Sequence, residues 1–438
     1  GLVACGPGAG LCDAVAGQAQ PLGVCLEGRK MVDESGMRED AVPNPGPESA
    51  RSSFDIAVDA LLERYGFISC VLEPLCYSEN HTYRVTRQNG KPIATLRICR
   101  PGYRSLRELQ AEIDWLSHLN NEVKLKGIEI IRPIPALDGS AVQVVTLPDG
   151  GVFHGVAFAY MDGVTPDEGD GETMRRLFRR LGSLAAALHE HTRGLEPAAA
   201  PHELNQALRP GTAFGELTRG LGVAAAPREL NQGLRPGITL GEQMRGLGAA
   251  AVPHASFILP VTRPVWDCDT TLGPHALWGD WRVFVGFTPQ EKELLERAEE
   301  RIRCVMAAYG KPCERFGLIH ADMRLANLLV EGDILKLLDF DDCAYSWHLF
   351  DLAASLSFIE ARPDLPDLVA AWLEGYQAAS TAYPLVEADM AVIPSLIMMR
   401  RLQLTAWLAT RHDSDPVPAL LSAWKQDTLA LAVRYLQS

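Results

Sequence analysis

The stretch Phe316–Cys343, FGLIHADMRLANLLVEGDILKLLDFDDC, decides the fold. Asp322 and Asn327 lie five apart in HADMRLAN, and Asp339 follows the apolar run Ile334 to Leu338. Asn327 to Val330 and Ile334 to Phe340 are short apolar runs split by the turn Glu331-Gly332-Asp333. This pattern predicts an antiparallel hairpin that brings both ends of the stretch to one edge. A carboxylate, an amide and a second carboxylate at a strand end form the layout for phosphoryl transfer from a nucleotide held on Mg²⁺. The attacking hydroxyl needs an acceptor that orients it and takes its proton, which is the role of Asp322. Mg²⁺ is a hard cation that takes oxygen ligands at short distance, which Asn327 and Asp339 supply.

HADMRLAN followed by LLDFDD resembles the catalytic and metal loops of the aminoglycoside phosphotransferase and choline kinase family, whose fold is that of the protein kinases. The resemblance covers about 54–193 and 256–436 and is nearest to the branch of homoserine-kinase-like enzymes and the stress-response kinase. It implies an α+β, bilobal protein-kinase-like fold: a small antiparallel-sheet lobe with one helix, and a large, mainly helical lobe. It implies an ATP- and Mg²⁺-dependent phosphotransferase, moving the γ-phosphate to a hydroxyl of a small amino alcohol, hydroxy amino acid or amino sugar. The alternatives are a protein serine/threonine kinase of the stress-response type and a catalytically silent nucleotide-binding pseudokinase.

Further roles follow from the resemblance. Arg97, in ATLRICRP, stands where the family carries the cation that grips the nucleotide phosphates. Glu112, in RELQAEIDWL, matches the helix glutamate that holds it, and Glu108, one turn earlier on the same helix face, competes for that pairing. The turn Tyr77 to His81 takes the place of the phosphate-covering loop without any glycine, leaving Ser78 and Asn80 as donors. Tyr160 and Met161 lie in the segment expected to join the lobes and to meet adenine through backbone groups. Arg324, two residues after Asp322, is a candidate to stabilise transition-state charge. His320 is expected to brace the loop and Asp351 to tie it down. Asp341 and Asp342 either reach metal or substrate or form a polar turn.

The chain has 438 residues and a net charge of −14, which argues against a nucleic-acid partner and favours a neutral or cationic substrate. Its ten cysteines show no C-x-x-C pair and no zinc spacing, as expected for reduced thiols in a cytoplasm. No apolar run reaches membrane-spanning length, and the opening lacks the charged n-region of a secretory signal. Residues 1–52, rich in Gly, Pro and Ala, are expected to be a disordered tail, with a regulatory tail as the alternative, and Met31 and Met37 are possible starts. The nucleotide-binding lobe is expected over 53–160 and the catalytic and substrate lobe over 161–438. Arg193, Arg219 and Arg245 each open a copy of a 26-residue repeat, so an insertion is placed at about 193–255. It is a duplicated surface insertion or, alternatively, a substrate cap or partner-binding arm.

Periodicity and turn chemistry predict the remaining elements. A short helix runs from Ser53 to Tyr65. Strands are expected over Val71–Cys76, Thr82–Thr86 and Pro92–Cys99, the last two joined by an Asn89-Gly90 hairpin. A helix over Ser105–Leu119 precedes strands over Ile128–Pro135, Val142–Leu147 and Val152–Tyr160. Helices follow over Thr173–Thr192, after the capping box Thr288 to Glu291, and over Leu365–Ala378, Ala388–Arg411 and Pro418–Gln437. His189 and His191 suit the dipole at the end of their helix rather than a shared metal. Trp266, Trp278 and Trp281 line either a substrate site or the core, and Met398 to Arg401 reads as a core-facing stripe.

Overall fold

The computed structural model describes residues 52–77, 80–169, 171–193, 262–380, 384–410 and 417–438. The expected tail, most of the repeat insertion and Ser78 therefore lie outside the described residues. Helix α1 (Ser53–Arg64) opens with a capping box between Ser52 and Asp55. Strands β1 (Cys70–Tyr77), β2 (Asn80–Arg87) and β3 (Pro92–Cys99) then form an antiparallel ladder. The tight turn between β2 and β3 uses Gly90 at φ 80°, a left-handed value that glycine adopts without steric cost. β7 (Val152–Ala159) pairs with the far edge of β3, and both β5 (Pro133–Ile134) and β6 (Val142–Thr146) pair with β7, which completes six strands. Helix α2 (Leu106–Glu122) starts at a second capping box, Ser105 with Glu108, and buries Leu109, Ile113 and Leu116.

The segment expected as one strand over Ile128–Pro135 is divided. β4 (Ile128–Ile130) leaves the large sheet and pairs in parallel with β10 (Ile334–Leu337), while β5 stays with β7. Pro133, which has no N–H to give a ladder, sits at the first residue of β5, where that lack is tolerated. β10 in turn pairs antiparallel with β9 (Leu328–Glu331), the hairpin read from the sequence. The second strand is shorter than expected, ending at Leu337, because Asp339 turns into the left-handed region. Two strands were not anticipated: β8 (Phe316–Ile319) and β11 (Ala344–Trp347) pair antiparallel on either side of the hairpin. β11 is buried at every position, so it shows no alternation to read.

The rest is helical. α3 (Gly171–Thr192) crosses α7 (Leu365–Ala379) with backbones touching. A Cβ on Gly182 would lie 1.9 Å from Trp372 O, and one on Gly375 would lie 1.8 Å from Arg179 O, so only glycine permits this approach. Short helices α4 (Cys268–Thr271) and α6 (Phe350–Ser355), with α5 (Pro289–Tyr309), α8 (Glu387–Thr410) and α9 (Val417–Gln437), complete the set among the described residues. The apolar core falls into two clusters. One lies under the large sheet around Leu61, Leu96 and Ala157, and the larger runs through the helices and the hairpin. Trp266, Trp278 and Trp281 belong to that larger core, with Trp281 Nε1 donating to Glu299 at 2.8 Å.

Candidate active site

The loop that follows β8 is bent against its own preference. Ala321 has φ 66°, a left-handed conformation that costs an L-residue roughly 1–2 kcal/mol. Asp351, on α6, offsets this cost by accepting from the Ala321 amide at 2.6 Å and the His320 amide at 3.3 Å. The same carboxylate accepts from His189 Nε2 at 2.9 Å, and Tyr376 Oη lies 2.9 Å from His189 Nδ1. Burial pushes the His189 pKa down to about 3, so the ring is neutral and its single N–H faces Asp351. His189 thus anchors the loop brace, which replaces the helix-dipole role expected for it. His320 contacts Leu338 O through Nε2 at 2.9 Å and accepts the Asp322 amide at Nδ1, 3.3 Å, which ties the loop to the hairpin end.

Asp322 is held on both carboxylate oxygens. Asn327 Nδ2 donates to Oδ2 at 2.7 Å and to the Asp322 carbonyl at 2.9 Å, and Arg324 Nε reaches Oδ2 at 3.3 Å. The other oxygen accepts from Arg400 Nη2. Arg400 comes from the middle of α8 and is only 1 % exposed; it also donates to Ser357 and Gln403 and lies over the Trp278 ring. Burial lowers its pKa, while Asp322 works to keep it charged. With the Asn327 amide nitrogen turned to Asp322, its oxygen is the atom free to face a cation. The Leu338 amide donates to the backbone carbonyl of Asn327 at 2.9 Å, which sets Asp339 one residue away from the catalytic loop.

Asp339 has φ 52°, and its side chain is 51 % exposed. Withdrawal of water by the surrounding protein and the neighbouring Asp341 charge push its pKa up to about 7. Solvent at half of the side chain moderates the first of these effects. The Asp341 amide donates to Asp339 Oδ1 at 3.3 Å, and Arg97 Nη1 lies 3.9 Å from the same oxygen. Phe340 packs edge-on against Trp115 of α2 and His320, so the loop is clamped between helix and catalytic loop. Arg97 donates to Glu112 at 2.7 Å, both side chains being buried. Burial opposes the Arg97 charge, but Glu112 and Asp341 outweigh it and hold its pKa well above the usual guanidinium value. Glu108 closes the α2 capping box instead, accepting from Ser105 N and Oγ at 2.8 Å.

The remaining expected residues are placed as follows. The Asn80 side chain is buried at the start of β2, donating to Asp341 at 3.0 Å and accepting from the Arg100 amide at 3.2 Å. Tyr160 and Met161 follow β7, and the Tyr160 amide donates to Ile93 O at 3.3 Å. Asp341 is buried among Arg97, Arg104 and Arg263, and Asp342 meets Arg104 and Tyr103, so neither is a plain polar turn. Sequence reasoning missed Arg400, Arg263 and the pairing of His189. The available signal for Arg400 was a pair of arginines inside a run of core residues, a placement that buried helices accept only when the charge is matched.

A carboxylate held by an amide, with a second carboxylate at the end of the adjoining hairpin, is the pattern read from the sequence, and the phosphotransferase enzyme family matches residues 78–388. The chain belongs to this family. It is similar to amicoumacin kinase of Bacillus subtilis strain 168, at 21 % identity over 364 residues, spanning 81 % of this chain and 84 % of that one. Among solved structures it resembles a microcompartment-associated aminopropanol kinase, at 29 % identity and TM-score 0.65, over 88 % of this chain and 98 % of the other. It also resembles amicoumacin kinase hAmiN, solved with AMP-PNP, Ca²⁺ and amicoumacin, at 16 % identity and TM-score 0.56, over 87 % and 94 %. The fold is accordingly the α+β protein-kinase-like one, and the chain is a phosphotransferase. No described helix is long and apolar enough to cross a membrane.

Proposed function

We propose that the protein transfers the γ-phosphoryl group of ATP, in a Mg²⁺-dependent reaction, to the hydroxyl of a small amino alcohol, with hydroxy amino acids and amino sugars as the next acceptor classes. The observation that carries this reading is the convergence of Asp322, Asn327 and Asp339, joined by the Asn327–Asp322 contact and the Leu338–Asn327 backbone bond. Likeness to the aminopropanol kinase supports the acceptor class. The acidic chain, which favours a neutral or cationic substrate, agrees with it.

The donor set fits Mg²⁺. Asn327 and Asp339 offer hard oxygens, and among the described residues no cluster of three His, Cys, Asp or Glu forms a preformed cage. Mg²⁺ is commonly bound by one or two protein oxygens completed by phosphates and water. When bound, the ion supplies charge neutralisation for the phosphates. Asp339, with its raised pKa, gains its full negative charge most readily beside such a cation.

In the reaction, Asp322 accepts the acceptor hydroxyl proton as the new oxygen–phosphorus bond forms. The bond from phosphorus to the leaving diphosphate oxygen breaks, and ADP departs. Asn327 and Arg400 fix the Asp322 carboxylate so that it need not reorient during the step. Arg97, steadied by Glu112, grips the nucleotide phosphates, and Arg324, beside Asp322, meets the charge on the group in transit. Tyr160 and Met161 receive adenine through backbone groups. The Asn80 backbone, at the start of β2, covers the phosphates.

An ADP-release screen over amino alcohols, hydroxy amino acids, amino sugars and a peptide mixture tests this, with Asp322→Ala as background. Turnover on amino alcohols above background is expected. Turnover on peptides alone makes the protein a protein kinase. Nucleotide binding with no productive acceptor makes it a silent binder.

A further inference from the structure

The acidic stretch Asp339 to Asp342 is longer than metal ligation by Asp339 needs, and its last two carboxylates are bonded by residues outside the catalytic loop. Asp342 Oδ1 accepts from Arg104 Nη2 at 2.7 Å and from Tyr103 Oη at 3.0 Å. Both donors sit in the short connection between β3 and α2, and Arg104 is buried. Arg104 Nε also lies 3.9 Å from Asp341 Oδ1, with Arg97 Nη1 at 3.8 Å from that oxygen. These last two distances are ion contacts, not hydrogen bonds. Arg97 Nε, Arg104 Nε and Asp341 Oδ1 are buried without a hydrogen-bond partner. The short bonds that fix this cluster are therefore Arg104–Asp342, Tyr103–Asp342 and Asn80–Asp341.

Arg263 closes the other side. Its guanidinium donates to Cys343 O at 2.7 Å, to Asp341 O, and to Glu108 O at 3.1 Å in the first turn of α2. Arg263 thus holds the Asp341 carbonyl while Asn80 holds its side chain, and the Asp341 amide is the group that orients Asp339 Oδ1. Asp339 itself sits at φ 52°, a conformation that a non-glycine residue keeps only when its surroundings impose it.

We propose that Arg104 and Asp342, with Tyr103, form a latch that holds the Asp339 loop in its metal-binding geometry. Both are positioning residues that act on the metal through Asp341 and Asp339, and the inference rests on the reading of Asp339 as a Mg²⁺ ligand. Outer partners that orient a metal ligand are commonly worth about 10–100-fold in metal affinity.

The test is calorimetric titration of the full chain with a non-hydrolysable ATP analogue, with and without Mg²⁺, on wild type, Asp342→Asn, Arg104→Lys and Tyr103→Phe. Melting of the unliganded proteins is recorded alongside. Wild type is expected to bind more tightly with Mg²⁺. Asp342→Asn and Arg104→Lys should lose about tenfold or more of that enhancement, with Mg²⁺-free affinity near wild type. Tyr103→Phe keeps every charge, serves if the other variants do not fold, and should lose a smaller share. Variants that melt earlier but keep the full enhancement would give the cluster a folding role only and overturn the latch. Equal losses with and without Mg²⁺ overturn it as well. Wild type that binds the nucleotide with no Mg²⁺ enhancement removes the metal reading itself, and the latch with it.

Discussion

Two buried arginines steady the two carboxylates of the site, and they come from opposite kinds of place. Arg97 lies on an antiparallel sheet, paired at 2.7 Å with Glu112 only fifteen residues away, and reaches Asp339 at 3.9 Å. Arg400 lies on a helix buried on nearly all sides and meets Asp322 from 78 residues away. The sheet arginine serves several acids at once, with Glu112, Asp339 and Asp341 around it. The helix arginine makes one ion pair and otherwise meets neutral groups, Ser357, Gln403 and Trp278. A shared cation belongs with binding, where charge from a nucleotide must be absorbed. A dedicated cation belongs with geometry, where one carboxylate must be kept still.

This contrast can be broken at several points. The largest effect should come from Asp322→Ala: turnover falls by about 10²-fold or more, while calorimetry finds Mg²⁺-nucleotide affinity close to wild type. Loss of nucleotide affinity in that variant would erase the division between the two sides. Arg400→Met comes next, because it strands a buried carboxylate; a stability loss of about 3 kcal/mol or more is expected in denaturant titration, with nucleotide affinity retained in whatever remains folded. Asp339→Ala should abolish the strengthening of nucleotide binding by Mg²⁺ and leave metal-free binding in place, which titration in chelator reads directly. The smallest signal is the most discriminating. Arg97→Ala and Glu112→Ala should each raise the ATP requirement, and the double variant should cost little more than either, since contacting residues couple. Additive losses would mean that the pair does not act as a unit.

The same contrast explains what could be read from the chain. The hairpin, its turn and the spacing of Asp322, Asn327 and Asp339 are local, and short-range patterning specifies them. Glu112 over Glu108 is also a local matter in hindsight. Glu108 stands three residues after Ser105, the position a capping box claims, so a local bond already occupies its side chain. Arg400 was legible only as two charges inside an apolar run, because its partner is supplied by folding. His189 looked like a helix-end residue, yet its partners Asp351 and Tyr376 come from two other helices. β8 and β11 were hidden for a different reason: burial at seven of their eight positions removes the alternation by which strands are recognised.

The parallel pairing of β4 with β10 has a mechanical consequence. After α2 the chain is fastened to the catalytic hairpin at Ile128–Ile130, returns to the large sheet at Pro133, and leaves it again after Ala159. The chain therefore joins the sheet to the hairpin side at two adjacent places, beside the contacts that Asn80 and Arg97 make with the Asp339 loop. α2 is fastened at both ends, followed by β4 at its C-terminal end and held by Arg263 at its first turn. Any displacement of the sheet against the hairpin must therefore also be accommodated by the helix that carries Glu112.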